Sequence, residues 1–322
     1  PDPRSSRKDR VMQGFILIKL LRATATVVAV VTFAFLALHA AGDPATVLLS
    51  PDTPPEVLAA FRKEWGLDQP LWQQYLAYWS NILHGNFGQS MRDGRPALEL
   101  VLDRLPATLT LMIPALVFKI GIGIPAGIFA ALNRNTWIDR LTIAAAVFSH
   151  AVPNFVMGFL LVIIFSVTLH WFASGGFERP SDLVLPVLTL GTAGAAVIAR
   201  FTRSAMVEVL GQPYVIAARA KGLPWRRVVI THVLPNAAVP TLTIIGLMIG
   251  SLVAGAVIVE TVFSWPGVGR LLVLSVSSRD MAVVQTLLIL IATSMVTANL
   301  VVDFLYGVID PRIRVARATP AR

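Results

Sequence analysis

The sequence predicts an all-α polytopic membrane protein with six transmembrane helices, and three observations carry that prediction. Apolar residues make up 55% of the 322 positions and charged residues 14%, with a mean hydropathy of +0.70. A soluble domain of this length does not need so much apolar surface. The apolar residues gather into six runs, each near or above the roughly 20 residues that a helix needs to cross a bilayer. The basic residues cluster in alternate connections between those runs, as the positive-inside bias requires.

The runs lie at about 15–41, 106–131, 141–169, 185–207, 235–259 and 283–307. The first follows Arg4, Arg7, Lys8 and Arg10 and is too long for a cleavable signal peptide, so it reads as a retained span. With residues 1–14 inside, the inner segments hold 18 of the 27 Lys and Arg residues and the outer segments eight, five of them in one long loop where the bias has little force. Both termini are therefore expected in the cytoplasm. The inner connection is 208–234, the inner tail 308–322, and residues 1–322 form a single transmembrane domain. The net charge of +9 follows this topology, so membrane lipids and not nucleic acid are the expected surroundings. Cysteine is absent, which excludes disulfides and thiolate metal sites.

Between the first two spans, residues 42–105 form one large extracytoplasmic loop, too long for a plain connector. Thr53-Pro54-Pro55-Glu56 reads as a capping box with proline at the first helical position, and Gly66 closes that helix. A second, amphipathic helix follows, with Leu71, Trp72, Tyr75, Leu76, Trp79, Ile82 and Leu83 on one apolar face and Gly85 after it. These aromatics suit a small cap packed on the bundle. Elementary physics assigns no role to Asn86-Phe87-Gly88-Gln89-Ser90.

Two spans carry helix-packing stripes, Gly123 with Gly127 and Gly246 with Gly250, the latter continued by Ala254. Pro114, Pro125 and Pro153 are expected to kink their helices. Polar groups within the spans mark a candidate translocation path. Lys119 lies near the middle of the second span, where a charge costs roughly 2.5–3.5 kcal/mol on insertion scales, so it faces protein or water. It either lines a cavity and meets a peptide carboxylate, or it snorkels or pairs with a carboxylate of another subunit. His150 and Asn154 share a face beside Pro153, and Thr286, Thr293 and Thr297 form a stripe on the last span. The first set lines a path or bonds between helices, and the stripe lines a path or bonds to neighbouring backbone. Glu260 and Asp303, near the ends of their spans, are placed to reach an interface.

No phosphate-binding loop, zinc-protease motif or nucleophile elbow is present. The chain is therefore expected to be no enzyme and to hold no cofactor or metal of its own.

The inner connection holds the most informative stretch, Tyr214 to Pro240. Pro213 suits the first turn of a helix, and Gly222 followed by Pro224 ends it after two to three turns. Ala217, Ala218 and Ala220 leave the backbone nearly bare, so the helix can enter a cleft of another protein; a basic helix lying on the membrane surface is the alternative. Ala217-Ala218, Gly222 four residues on, and Leu234-Pro235 twelve residues after the glycine resemble the EAA loop of ABC-importer permeases. The form Tyr-Val-x-x-Ala-Arg-Ala-Lys-Gly is similar to that of dipeptide and oligopeptide permeases, with Ile216 in place of the motif's glutamate. The resemblance extends over almost the whole chain. His39-Ala-Ala-Gly-Asp43-Pro44, Phe87-Gly88-Gln-Ser90, Arg104-Leu-Pro-Ala-Thr108-Leu, Arg200-Phe-Thr-Arg203-Ser, Glu260-Thr-Val-Phe263-Ser-Trp-Pro-Gly267-Val-Gly269, Arg279-Asp280 and Asn299 to Arg312 look like the family's landmarks in order. By these the chain resembles the B-type permease of dipeptide/oligopeptide ABC importers.

That resemblance implies a type I importer permease in the bacterial inner membrane, forming a heterodimer with a second, homologous permease. Two ABC ATPase subunits or domains that bind ATP-Mg dock below, and an extracytoplasmic peptide-binding protein delivers cargo. It places ATPase coupling on Tyr214, Ala217, Ala218, Arg219, Lys221 and Gly222, with Leu234 and Pro235 starting the next span. Nickel and glutathione importers share the pattern, so cargo stays open. An ion-gradient-driven secondary transporter is the competing class, which predicts transport without an ATPase.

Overall fold

The apolar runs fold as helices because in hydrocarbon every backbone N–H and C=O has to be satisfied within its own segment. The computed structural model describes residues 21–309, apart from 23, 38, 41, 44, 46–48, 50, 51, 251 and 253–255. The predicted inner segment 1–14, the start of the first run, Ala254 and the tail from Asp310 lie outside the described residues. In chain order the helices are α1 (Thr24–Ala37), α2 (Pro55–Glu64), α3 (Leu71–Leu83), α4 (Ala97–Leu132), α5 (Trp137–Ala151), α6 (Asn154–Leu161), α7 (Val184–Leu210), α8 (Pro213–Ala220), α9 (Trp225–Val228), α10 (Leu234–Gly250), α11 (Val257–Val262), α12 (Val268–Ser277) and α13 (Met281–Ile309).

Among the described residues, four continuous helical stretches are long and apolar enough to cross a membrane: Ala97–Leu132, Pro180–Leu210, Trp225–Gly250 and Met281–Val301. A fifth candidate is the pair Trp137–Ser149 and Asn154–Thr168, bent by 98°. The expected third span is thus broken, not merely kinked, at Val152-Pro153, where proline forbids the helical backbone of the residue before it. The described part of the first run, α1, is apolar but shorter than a span.

Other boundaries also move. The second span begins at Ala97, so the last turns of the predicted outer loop are helical. The fifth begins at Trp225, not Leu234-Pro235, and ends at Gly250. A π-helical segment, Val229–Val233, precedes Pro235 and lets the helix run on through a residue with no N–H to give. Residues 260–282, expected as a connection, contain the apolar helix α12. In the loop, α2 opens on Pro55, one residue later than the expected capping box places it, so the cap position is Pro54 and no side-chain cap bond forms. Thr53 stands one residue too early to cap. Gly66 and Gly85, both with positive φ, follow α2 and α3.

The chain divides into two compact units, Pro1–Pro106 with Arg270–Val296, and Ala107–Gly269 with Thr297–Arg322. In the second unit α4 and α7 meet along small residues. A Cβ on Gly123 would fall 2.7 Å from the Ile198 side chain and 2.8 Å from the Ala195 carbonyl. Gly191 of α7 accommodates the Phe118 ring, and Gly194 accommodates the Lys119 stem. The expected Gly123/Gly127 stripe is therefore a contact seam, completed by glycines on the partner helix. Gly246 and Gly250 are buried in α10. Buried Phe263 and Trp265 centre a core with Leu111, Met112, Leu185 and Val259.

Candidate functional site

Pro213 opens α8 at a position where its missing N–H costs nothing. The helix is capped at Lys221, and Gly222 takes φ +81°, a left-handed backbone that glycine adopts without strain. Val215 and Ala218, three residues apart, turn into a core made by Ala131 at the end of α4, Ala205 and Met206 of α7, and Val228, Val229, Val233 and Ala237 of the following helix. The opposite side of α8 is open. Tyr214, Ile216, Ala217, Arg219, Lys221 and Gly222 are exposed, and so are Trp225, Arg226 and Arg227 after the turn. The Arg219 guanidinium lies 4.8 Å from the centre of the Trp225 ring. No Asp or Glu occurs from 209 to 234. The surface is therefore a nearly bare helical ridge, with Ile216 and Tyr214 as apolar contacts and a cationic margin. Such a surface suits an apolar cleft with an acidic rim.

Of the residues expected to couple, five share this exposed face: Tyr214, Ala217, Arg219, Lys221 and Gly222. Ala218 lies in the supporting core at 5% exposure. Leu234 packs against the same core, and Pro235 is exposed within α10.

Next to this core is an ion pair that no motif announced. Arg203 of α7 donates from Nε to Asp139 Oδ1 at 2.6 Å and from Nη2 to Oδ2 at 2.8 Å. Asp139 is buried in the first turn of α5 and also accepts the Asn135 amide at 3.0 Å. Arg203, a landmark of the family resemblance, is thus a clamp between two helices. Asp139, an isolated carboxylate at the start of an apolar run, was the available signal.

Two polar knots gather the sequence landmarks. Within the first unit, the Ser90 hydroxyl donates to Asp280 Oδ2 and accepts the amides of Arg92 (3.2 Å) and Asp93 (2.9 Å). Arg279 lies against Gly42 and donates to the Asp43 carbonyl, while the Asp43 carboxylate pairs with Arg62 at 2.6 Å. Within the second unit, Thr108 Oγ1 donates to Glu260 Oε1 at 2.7 Å and accepts the Val268 amide at 2.8 Å. Trp265 Nε1 donates to the Ala107 carbonyl at 2.8 Å. Glu260, expected to reach an interface, is instead fully buried. Gly267 and Gly269 leave the room its carboxylate occupies.

The candidate path residues are not gathered by one feature. Lys119 is half-buried with its stem across Gly194, and Asn154 is exposed at the start of α6. Thr286 is buried and donates to the Ala282 carbonyl of its own helix at 2.7 Å, whereas Thr293 and Thr297 are exposed. The side chains of His150 and Asp303 lie outside the described residues. An open cavity of about 430 Å³ is lined by Phe159, Val162, Ser174, Gly175, Gly176, Val262 and Ser264, and none of the six is among them.

Residues 123–315 match the family model described as "Binding-protein-dependent transport system inner membrane component", and residues 12–112 match the companion model for the N-terminal part of such membrane components. The chain is similar to the glutathione transport system permease protein GsiC of Escherichia coli strain K12, with 43% identity over 304 residues, covering 94% of this chain and 99% of that protein. The protein of the same description from Salmonella paratyphi A matches with the same identity and coverage. Two crystal forms of the inward-facing MetNI methionine ABC transporter share the fold, with TM-scores of 0.56 and 0.57 at 19% identity, over 66% of this chain and 96% of theirs.

Proposed function

The chain belongs to the family of binding-protein-dependent transport system inner membrane components, and from that premise we propose that it is one permease half of an ATP-driven importer of short peptides, of which the tripeptide glutathione is the first candidate. Its relatives are permease proteins, so the chain is an inner-membrane transport subunit and not the ATPase. The observation that carries the coupling role is the two-sided build of α8. Val215 and Ala218 fix it to the ends of the spans, and the bare, cationic side is free to dock. Closure of two ATPase subunits on ATP-Mg would draw this helix and that of a second permease together and open the cavity outward. Hydrolysis would reset it.

Support for the cargo comes from the glutathione permeases that the chain is similar to over almost its full length. Di- and oligopeptides share with glutathione a free carboxylate and an amide backbone, and Lys119 is the cation placed to meet such a carboxylate. The deciding experiment expresses the chain with its neighbouring subunits and measures uptake of labelled glutathione, a dipeptide and nickel. Vanadate-sensitive uptake of one peptide cargo, with binding-protein-stimulated ATPase activity in the purified complex, is the expected result. Uptake that survives vanadate and collapses with a protonophore would replace this reading with the secondary transporter.

A further inference from the structure

Helix α3 carries an apolar stripe that its own unit leaves open. Trp72, Leu76, Trp79 and Leu83 fall within about 60° of arc at 3.6 residues per turn. Trp72, Leu76 and Leu83 are 62%, 59% and 81% exposed. The neighbouring side of the helix is engaged with α1. The Tyr75 and Thr32 hydroxyls are 2.7 Å apart, the Tyr75 and Tyr78 rings lie 5.3 and 6.4 Å from Phe35, and Gln74 Oε1 is 3.0 Å from His39 Nε2. Thr32, Phe35 and His39 form one face of the α1 segment, so α3 packs against its C-terminal half instead of standing beyond its end. On its other faces α1 exposes Phe33 and Leu36.

We propose that α3 lies flat in the headgroup–hydrocarbon boundary of the leaflet at the C-terminal end of α1, with Trp72, Leu76 and Leu83 against acyl chains. The occupant of the stripe is lipid for three reasons. The helix packs at the level of an apolar segment whose remaining faces are themselves apolar and exposed, so it shares that segment's surroundings. Residues 71–83 contain no charged side chain, whereas a surface that docks a soluble protein keeps a polar, charged rim. Tryptophan beside leucine on one face, with Gln73 and Ser80 along its edge and Asn81 opposite, is the pattern of a helix lying in the interface. Helix α3 would thus be a lateral anchor that fixes the height of α1, a role separate from cargo recognition.

The cysteine-free chain permits a direct test. Single variants Leu76→Cys, Leu83→Cys, Gln73→Cys and Ser80→Cys carry a nitroxide in the full transporter in nanodiscs, with the unsubstituted complex as labelling control. At 76 and 83, collision with oxygen is expected to exceed collision with a water-soluble nickel chelate severalfold, with the reverse order at 73 and 80. Adding the binding protein should leave 76 and 83 unchanged. Chelate reaching 76 and 83 as readily as 73, or protection that appears only with the binding protein, would overturn the proposal; the latter would make the stripe a protein-docking surface. Brominated lipids provide a second reading on unlabelled protein, since the Trp72→Phe variant should lose a share of the quenching seen with the wild type. Neither reading depends on which cargo is carried.

Discussion

Arg203→Ala, Asp139→Ala and their double variant form a cycle whose outcome follows from the geometry of the clamp. Removing Arg203 strands the Asp139 carboxylate, which is 3% exposed and keeps the Asn135 amide. Breaking a buried pair costs 3–5 kcal/mol, and the lower end applies because the Arg203 side chain is 23% exposed and water can enter, giving about 3 kcal/mol. Removing Asp139 strands the partner that can still turn toward water, so about 2 kcal/mol is expected. The double variant leaves no buried charge and should also cost about 2 kcal/mol, which makes the coupling energy about 3 kcal/mol. Arg203→Lys keeps the charge but not the two-pronged contact, and should recover only part of the loss. Equilibrium unfolding in mixed detergent micelles measures all four variants. A coupling energy below about 0.5 kcal/mol would show that the two side chains act independently and would refute the clamp.

Substitutions at four further positions test other parts of the molecule. A Cβ on Gly127 would meet the Ala199 carbonyl and fall 2.7 Å from Thr202 Cβ, so Gly127→Val should cost about 3 kcal/mol or more or prevent insertion. Gly121→Ala, with open space, should be neutral within about 0.5 kcal/mol in the same unfolding assay. Thr108→Val removes the bond to Glu260 and strands the buried Val268 amide, an expected loss of about 2–3 kcal/mol that Thr108→Ser should largely restore in thermal unfolding. Gly222→Asp has open space for its side chain and pays only about 1–2 kcal/mol for the left-handed backbone, so it should reach the membrane folded. It should nevertheless abolish uptake and binding-protein-stimulated ATPase activity, and normal uptake would end the docking role of α8.

What could be read from the sequence was whatever depends on one segment. Pro213 and Gly222 bound α8 because proline and glycine act through their own backbones. The Gly123/Gly127 stripe was visible as a stripe, but not the α7 glycines that complete the seam, because the partner of a small residue leaves no mark in its own helix. The same limit hid the clamp and both knots. Thr108 and Glu260 are 152 residues apart, and Ser90 and Asp280 are 190 apart. Where a local rule failed, a neighbouring residue decided: Pro54 holds the cap position that Thr53 would need, and the π-helical turn before Pro235 carries a helix through a residue expected to start one. The candidate path was the least legible part. Threonines on a lipid face, a path or a partner surface look alike in one chain, and Thr286 proves to be satisfied by its own helix.

Within the second unit, contacts that do not stretch link α8 to the spans. Val215 and Ala218 bind α8 to Ala131 of α4, to Ala205 and Met206 of α7, and to the start of the fifth span. A pull on α8 therefore acts at once on the inner ends of three helices. Two of these, α4 and α7, touch backbone to backbone at Gly127, where no side chain can bend to absorb a displacement. Arg203, one residue beyond Thr202 of that seam, carries α5 along through Asp139. Small residues on α8, glycines in the seam and a two-pronged ion pair have one feature in common: each replaces a long, flexible side chain with a short, stiff contact. The Gly127→Val substitution decides this argument. If it leaves transport coupled to hydrolysis, the seam is packing alone and the motion of α8 must travel by another route.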